Sequence, residues 1–209
     1  MRHRWRFLPL FCLLWACPAS MAQTLQLGER ASGASQVEAG IGDTVQIEVR
    51  ADLGRFAAAG MSVFICVPEG PFRVVDHGPE GQDGVQPFLP GPLFSGGMEA
   101  GNEMAAEGQV PEMLAGEQVL SYCVVLGPGP DRERRGAGVV ARFALQCTEP
   151  ADESRVVIYS SPVYETRLVL ADGQTERRFA GVEGMTITAR PVTLVEQGST
   201  WGAIKAGWE

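Results

Sequence analysis

The sequence is poor in the residue types that catalysis and polyanion binding draw on. It holds two histidines, His3 and His77, and one lysine, Lys205; every other basic residue is arginine. His77 follows Asp76 in a glycine- and proline-rich stretch, and no Gly-x-Ser-x-Gly elbow occurs, so the pattern of a Ser–His–Asp or Cys–His site is missing. No Cys-x-x-Cys pair is present and no histidine lies near a cysteine, which argues against zinc. Asp76, Glu80 and Asp83 offer oxygen donors but lack the spacing of an EF-hand loop. Acids are plentiful, yet no two stand out as a glycosidase pair. The expectation is a protein without catalytic residues, metal site or cofactor, with a secreted hydrolase only the third reading.

Aromatic residues are scarce as well. The tyrosines are Tyr122, Tyr159 and Tyr164, and beyond the N-terminal segment tryptophan occurs only at positions 201 and 208. A carbohydrate-binding module usually presents a planar row of aromatics to sugar rings. That scarcity favours another extracellular or cell-surface protein as the partner and leaves a polysaccharide as the alternative.

The one long apolar segment, Phe7 to Ala16, is too short to span a bilayer. Arg2, Arg4 and Arg6 precede it, and the small residues Ser20 and Ala22 follow, in the order of a secretory signal peptide cut before Gln23. A lipoprotein signal ending at Cys17 is the second option, disfavoured by the bulk of Trp15 and by Pro18. The expected destination is outside the cell or on its surface, with no transmembrane segment in the mature chain. Losing residues 1–22 removes three arginines and no acid, leaving 14 basic against 25 acidic residues. A chain so acidic repels phosphate backbones and anionic membranes, so nucleic acid is not an expected partner.

What remains reads as strands punctuated by turns. From Thr44 to Ala51 the pattern alternates, with Val45, Ile47 and Val49 on one face and Gln46, Glu48 and Arg50 on the other. Met61 to Val67 is a nearly unbroken apolar run ended by Pro68, suited to a central strand, and Val119 to Leu126 is similar. Val139, Ala141, Phe143, Leu145 and Cys147 share a face of the next strand. Strands over 155–159 and 166–170 follow, then Asp172-Gly173 turns a hairpin into 174–179, and 185–190 closes the series. The stretch from Asp76 to Glu117 is too long for an ordinary loop, and short strands are expected within it near 86–88 and 94–102. Many short strands with Gly/Pro punctuation and no amphipathic helix predict an antiparallel β-sandwich over residues 23–190.

Residues 191–209 differ. Pro191 to Gly198 reads as a linker, and Ser199-Thr200 is placed to cap a short C-terminal helix. On such a helix Trp201, Ile204, Lys205 and Trp208 fall on neighbouring positions and form a candidate partner-binding element. The ending is also similar to short Trp-Gly-x-x-Lys endings of some exported bacterial proteins.

The order of motifs resembles that of a cohesin module, a jelly-roll-type sandwich related to some carbohydrate-binding modules. Gly42-Asp43-Thr44-Val45 precedes an alternating strand, and Ala59-Gly60-Met61 opens the next. Val67-Pro68 stands where cohesins often carry Tyr-Asp-Pro, with Cys66 at the tyrosine position. Gly138-Val139-Val140-Ala141-Arg142-Phe143 is similar to the family's Gly-x-Leu-x-x-Phe strand, and Gly184 to Thr188 to its final strand. The resemblance covers Leu25 to Arg190 and implies a scaffold module that binds dockerins, with no contact residues carried over. It also implies that the Met61 and Val119 strands lie side by side, with Cys147 in the opposite sheet. Three cysteines remain after the signal in a compartment that permits disulfides, and this neighbourhood predicts a bridge between Cys66 and Cys123, with Cys147 free.

Overall fold

The computed structural model describes residues 22–105, 116–129 and 132–191. The expected signal segment therefore lies outside the described residues apart from Ala22, and so do the C-terminal helix and its residues Trp201, Ile204, Lys205 and Trp208. Fourteen strands follow in chain order. They are β1 (Thr24–Glu29), β2 (Gln36–Gly40), β3 (Thr44–Asp52), β4 (Ala58–Pro68), β5 (Phe72–Val74), β6 (Leu89–Pro90) and β7 (Met98–Met104). The second half supplies β8 (Glu117–Val125), β9 (Ala137–Cys147), β10 (Ala151–Tyr159), β11 (Arg167–Leu170), β12 (Glu176–Arg178), β13 (Gly181–Glu183) and β14 (Met185–Arg190). Among the described residues the one helical element is a 3₁₀ turn, Pro92–Phe94, and none is long and apolar enough to cross a membrane.

Two sheets face each other. The first has the order β13-β1-β3-β9-β5, with β6 continuing the β5 edge along β9. In the second, β4 is central. One of its edges pairs with β8 over its length, and β7 lies beyond β8. The other edge is shared: Ala58 to Ser62 pair with β11, and Phe64 to Cys66 pair with β10. From there the sheet runs outward through β14 to β2 on one branch and to β12 on the other.

Period-two alternation builds the core. Ile47 and Val49 on β3, Val63 and Ile65 on β4, Leu120 and Tyr122 on β8, and Phe143 and Leu145 on β9 point into one buried cluster. Phe88 bridges the sheets, its ring 5.3 Å from Tyr122 and 5.4 Å from Phe143 between centroids. The fold is the expected all-β sandwich, with one addition: both ends of the chain divide between the sheets. β1 pairs in parallel with β13, and β2 in parallel with β14. Gly184 is the crossing point on the C-terminal side; a Cβ there would lie 2.5 Å from the Val156 carbonyl oxygen, so only glycine lets β14 close on β10.

Among its described residues the stretch 76–117 holds β6, the 3₁₀ turn and β7; β7 overlaps the strand expected near 94–102 but begins at Met98, and the one expected near 86–88 falls instead at Leu89–Pro90. Its turns are fixed locally. The Asp76 carboxylate accepts the Gly78 N–H at 2.8 Å and the Gln86 N–H at 2.9 Å, bonds that hold it below the usual carboxylate range.

The expected Cys66–Cys123 bridge is not formed, and all three described cysteines are free thiols. The neighbourhood was read correctly, since β4 and β8 are paired and Cys147 is in the other sheet. The register defeats the bridge. Cys66 lies opposite Val119 and Cys123 opposite Ser62, an offset of about 13 Å at ~3.3 Å per residue, against a limit near 7 Å.

Candidate functional site

The alternation that sends Val63 and Ile65 into the core sends Ser62, Phe64 and Cys66 to the outside of the second sheet. Register places Val119, Ser121 and Cys123 of β8 beside them, Gly101 of β7 next, and Val157 and Tyr159 of β10 on the other flank. This outer face is not the polar surface expected of a solvated sheet. Phe64, Cys66 and Val119 are buried in a second, separate apolar cluster, against which Ala105, Tyr159 and Tyr164 pack. The Phe64 and Tyr164 rings meet edge to face at 5.4 Å.

The strip is held in place where β4 changes partners. The Thr166 hydroxyl, buried there, accepts the Phe64 N–H at 3.0 Å and donates to the Tyr159 carbonyl at 2.6 Å. It thereby replaces the ladder bond lost between the ends of β10 and β11. Next to it the Ser161 hydroxyl accepts the N–H groups of Val163 at 3.2 Å and Tyr164 at 3.1 Å, while Pro162 sets the turn. That turn fixes Tyr164 against Phe64 and leaves Val163 70% exposed. Val157, 38% exposed, continues the apolar strip on β10, and the paired Met98 and Val125 extend it at the β7–β8 end.

Charged residues stand beside the strip, Glu103 opposite Ser121 and Arg167 opposite Ser62. Glu165 binds Arg178 and, at 3.4 Å, Arg167, which also reaches Glu176 at 2.7 Å. The Arg178 bond is the main reason the Glu165 carboxyl stays below its usual range. Cys66 donates to Glu117 at 3.0 Å, and burial, with that bond to an acid, pushes its thiol up to about 12. Burial and the bond to Glu117 disfavour the thiolate, which suits Cys66 to packing. Among the described residues no three His, Cys, Asp or Glu side chains gather as a metal site. His77 sits in the loop after β5, its backbone N–H donating to the Gln86 carbonyl at 2.9 Å.

Of the residues singled out in the sequence, Cys66 and Cys123 both lie on this face, four rungs apart, and the tail residues fall outside the described chain. The sequence reading missed Phe64, Val157, Val163 and Tyr164. Ser161-Pro162-Val163-Tyr164 carried the available signal, a Ser-Pro turn presenting two large apolar side chains.

No family model matches the chain, and no curated protein sequence matches it either. Solved structures do. The second type II cohesin module of the adaptor ScaA scaffoldin of Acetivibrio cellulolyticus superposes with a TM-score of 0.59 at 13% identity, covering 86% of this chain and 97% of that one. The seventh ScaB type I cohesin of Pseudobacteroides cellulosolvens gives 0.52 at 8% identity, over 84% and 96%. The sixth cohesin of Acetivibrio cellulolyticus scaffoldin B, solved in complex with a mutant Cel5 dockerin, gives 0.51 at 11% identity, over 81% and 99%. At these identities the likeness is one of fold: the chain is a divergent cohesin-like sandwich.

Proposed function

We propose that this chain is an exported, non-catalytic binding module that takes a partner protein on the outer face of β7, β8, β4 and β10. The observation that carries the proposal is the apolar strip itself. Four of the six exposed large apolar side chains of the described residues, Met98, Val125, Val157 and Val163, belong to this sheet face or to the loop that carries Tyr164. Each of these side chains is 38–70% exposed, and covering that part yields about 0.6–2 kcal/mol apiece, so a partner that buries several has a driving force, and the neighbouring ion pairs supply orientation. The cohesin-like fold supports the reading, since a cohesin of this fold has been solved with a dockerin bound.

The layout we propose is a secretory signal over 1–22, the sandwich over 23–190, and a linker with a tryptophan-bearing end over 191–209. Trp201, Ile204, Lys205 and Trp208 form a second, separable docking element in this scheme. The test is affinity capture from the extracellular and envelope fractions with the full mature chain, run beside a panel of polysaccharides. Capture of a defined protein is the expected result. Retention on a polysaccharide with no protein captured would replace this reading with a carbohydrate-binding one.

A further inference from the structure

The sequence holds two Asp-Gly pairs, Asp83-Gly84 and Asp172-Gly173, and the fold treats them differently. Such a pair is chemically reactive. The backbone nitrogen of the glycine attacks the aspartate Cγ, water leaves, and a cyclic succinimide forms. Water then reopens the ring at either carbonyl, giving back aspartate or an isoaspartyl bond in which the main chain runs through the side-chain carboxyl. Glycine favours the attack because it has no Cβ to crowd the nitrogen and lets the backbone rotate.

The second pair is tied down on both reacting groups. The Asp172 carboxylate accepts the N–H groups of Gln174 at 3.0 Å and Thr175 at 2.8 Å, and the Thr175 hydroxyl. The attacking nitrogen is engaged as well, since the Gly173 N–H donates to the Leu170 carbonyl at 2.9 Å. The bonds from Thr175 and Gln174 also keep the carboxyl below its usual range, so the neutral form that loses water most readily is scarce.

Asp83-Gly84 has none of these restraints. Both residues are exposed, and neither the Asp83 carboxylate nor the Gly84 N–H has a partner among the described residues. Backbone conformation does not separate the pairs, because Gly84 and Gly173 both sit at positive φ, 85° and 70°. The free pair stands near the tip of the loop over 77–86. Its neck is clamped by the His77 N–H on the Gln86 carbonyl at 2.9 Å and by the Asp76 carboxylate on the Gly78 and Gln86 N–H groups. The tip therefore has room to reach the geometry of ring closure while the loop's ends stay in place.

We propose that Asp83 is a site of spontaneous isoaspartate formation in the folded protein, and that the hairpin bonds protect Asp172 from the same reaction. The water lost on closure is regained on opening, so no enzyme, oxidant or other reactant is required. The site is independent of the protein-binding face.

The test follows the chain over 23–209, unaltered, at neutral pH and physiological temperature for several weeks, with one sample folded and one held in urea. Peptide mapping with fragmentation that tells isoaspartate from aspartate reads both sites. In the folded sample isoaspartate should accumulate at Asp83 about tenfold or more faster than at Asp172, as expected when two or more hydrogen bonds must break before attack. In urea the two rates should converge. Thr175→Val removes one of the bonds to Asp172 and should speed that site while leaving Asp83 unchanged. Equal rates in the folded sample, a faster rate at Asp172, or no isoaspartate at Asp83 would overturn the proposal. A difference that persists undiminished in urea would overturn it too, by placing the cause in the flanking residues. The main comparison is made within one unaltered chain, so the result does not depend on any variant folding.

Discussion

Asn102 pairs with the backbone of Phe88 as a strand would: its Oδ1 accepts the Phe88 N–H at 3.0 Å and its Nδ2 donates to the Phe88 carbonyl at 2.8 Å. One side chain thus covers part of the edge of β7 and fixes the residue whose ring spans both sheets. Asn102→Leu removes both bonds and leaves two backbone groups of a buried residue unpaired. A loss of about 1–3 kcal/mol is expected, read as a drop of several degrees in Tm. A variant that melts with the wild type would show that water serves Phe88 equally well.

Gly184 and Gly127 make a paired test of close packing. A Cβ at Gly184 meets the Val156 carbonyl at 2.5 Å, whereas one at Gly127 meets nothing within 4 Å. Gly184→Ala should cost about 1–3 kcal/mol by forcing β14 off β10, and Gly127→Ala should be close to neutral. Equal Tm values for the two variants would contradict the account of how the chain crosses between sheets.

The thiols are expected to be free and slow. Burial raises the Cys66, Cys123 and Cys147 pKa values, so little thiolate is present near neutral pH. Native protein should take up alkylating reagent slowly, and unfolded protein at once. Non-reducing peptide mapping should recover no Cys66–Cys123 peptide.

Acid should destabilise the sandwich partly through Glu48, which is 4% exposed on the outside of β3. Burial pushes its carboxyl up, but the bonds from Arg142 and Arg50 together outweigh burial and hold it below the usual value. A carboxylate depressed in the folded state stabilises fully above its unfolded pKa, near 4.3, and that contribution is lost as pH falls through the folded value. Glu48→Gln should therefore lower Tm at pH 7 and flatten its decline below pH 4. Parallel Tm–pH curves for the two proteins would remove Glu48 from the explanation.

Most of the framework was legible in the sequence, because strands with one buried face print their alternation. Val45-x-Ile47-x-Val49 gave β3, Asp172-Gly173 gave the β11–β12 hairpin, and Met185 to Arg190 gave β14 to the residue. The parallel pairs β1–β13 and β2–β14 were not legible: they join segments from opposite ends of the chain, and each pair includes a strand of five residues or fewer. The binding face was hidden for a different reason. Phe64 and Cys66 lie within the unbroken run from Met61 to Val67, which sequence alone reads as buried on both sides. Only the pairing of β4 with β8 and β10 shows that half of that run faces away from the core. The failed disulfide has the same origin, since the four-rung offset is a property of register.

The most direct test is the affinity of the captured partner for two single variants, Val157→Glu and Val182→Glu. Both valines are exposed on strands, Val157 at 38% on the proposed face and Val182 at 52% on β13 of the other sheet. Each variant should melt within a few degrees of the wild type. The account predicts that Val157→Glu weakens the partner's Kd at least tenfold and that Val182→Glu leaves it unchanged. An unchanged Kd for Val157→Glu, or a loss confined to Val182→Glu, would contradict it.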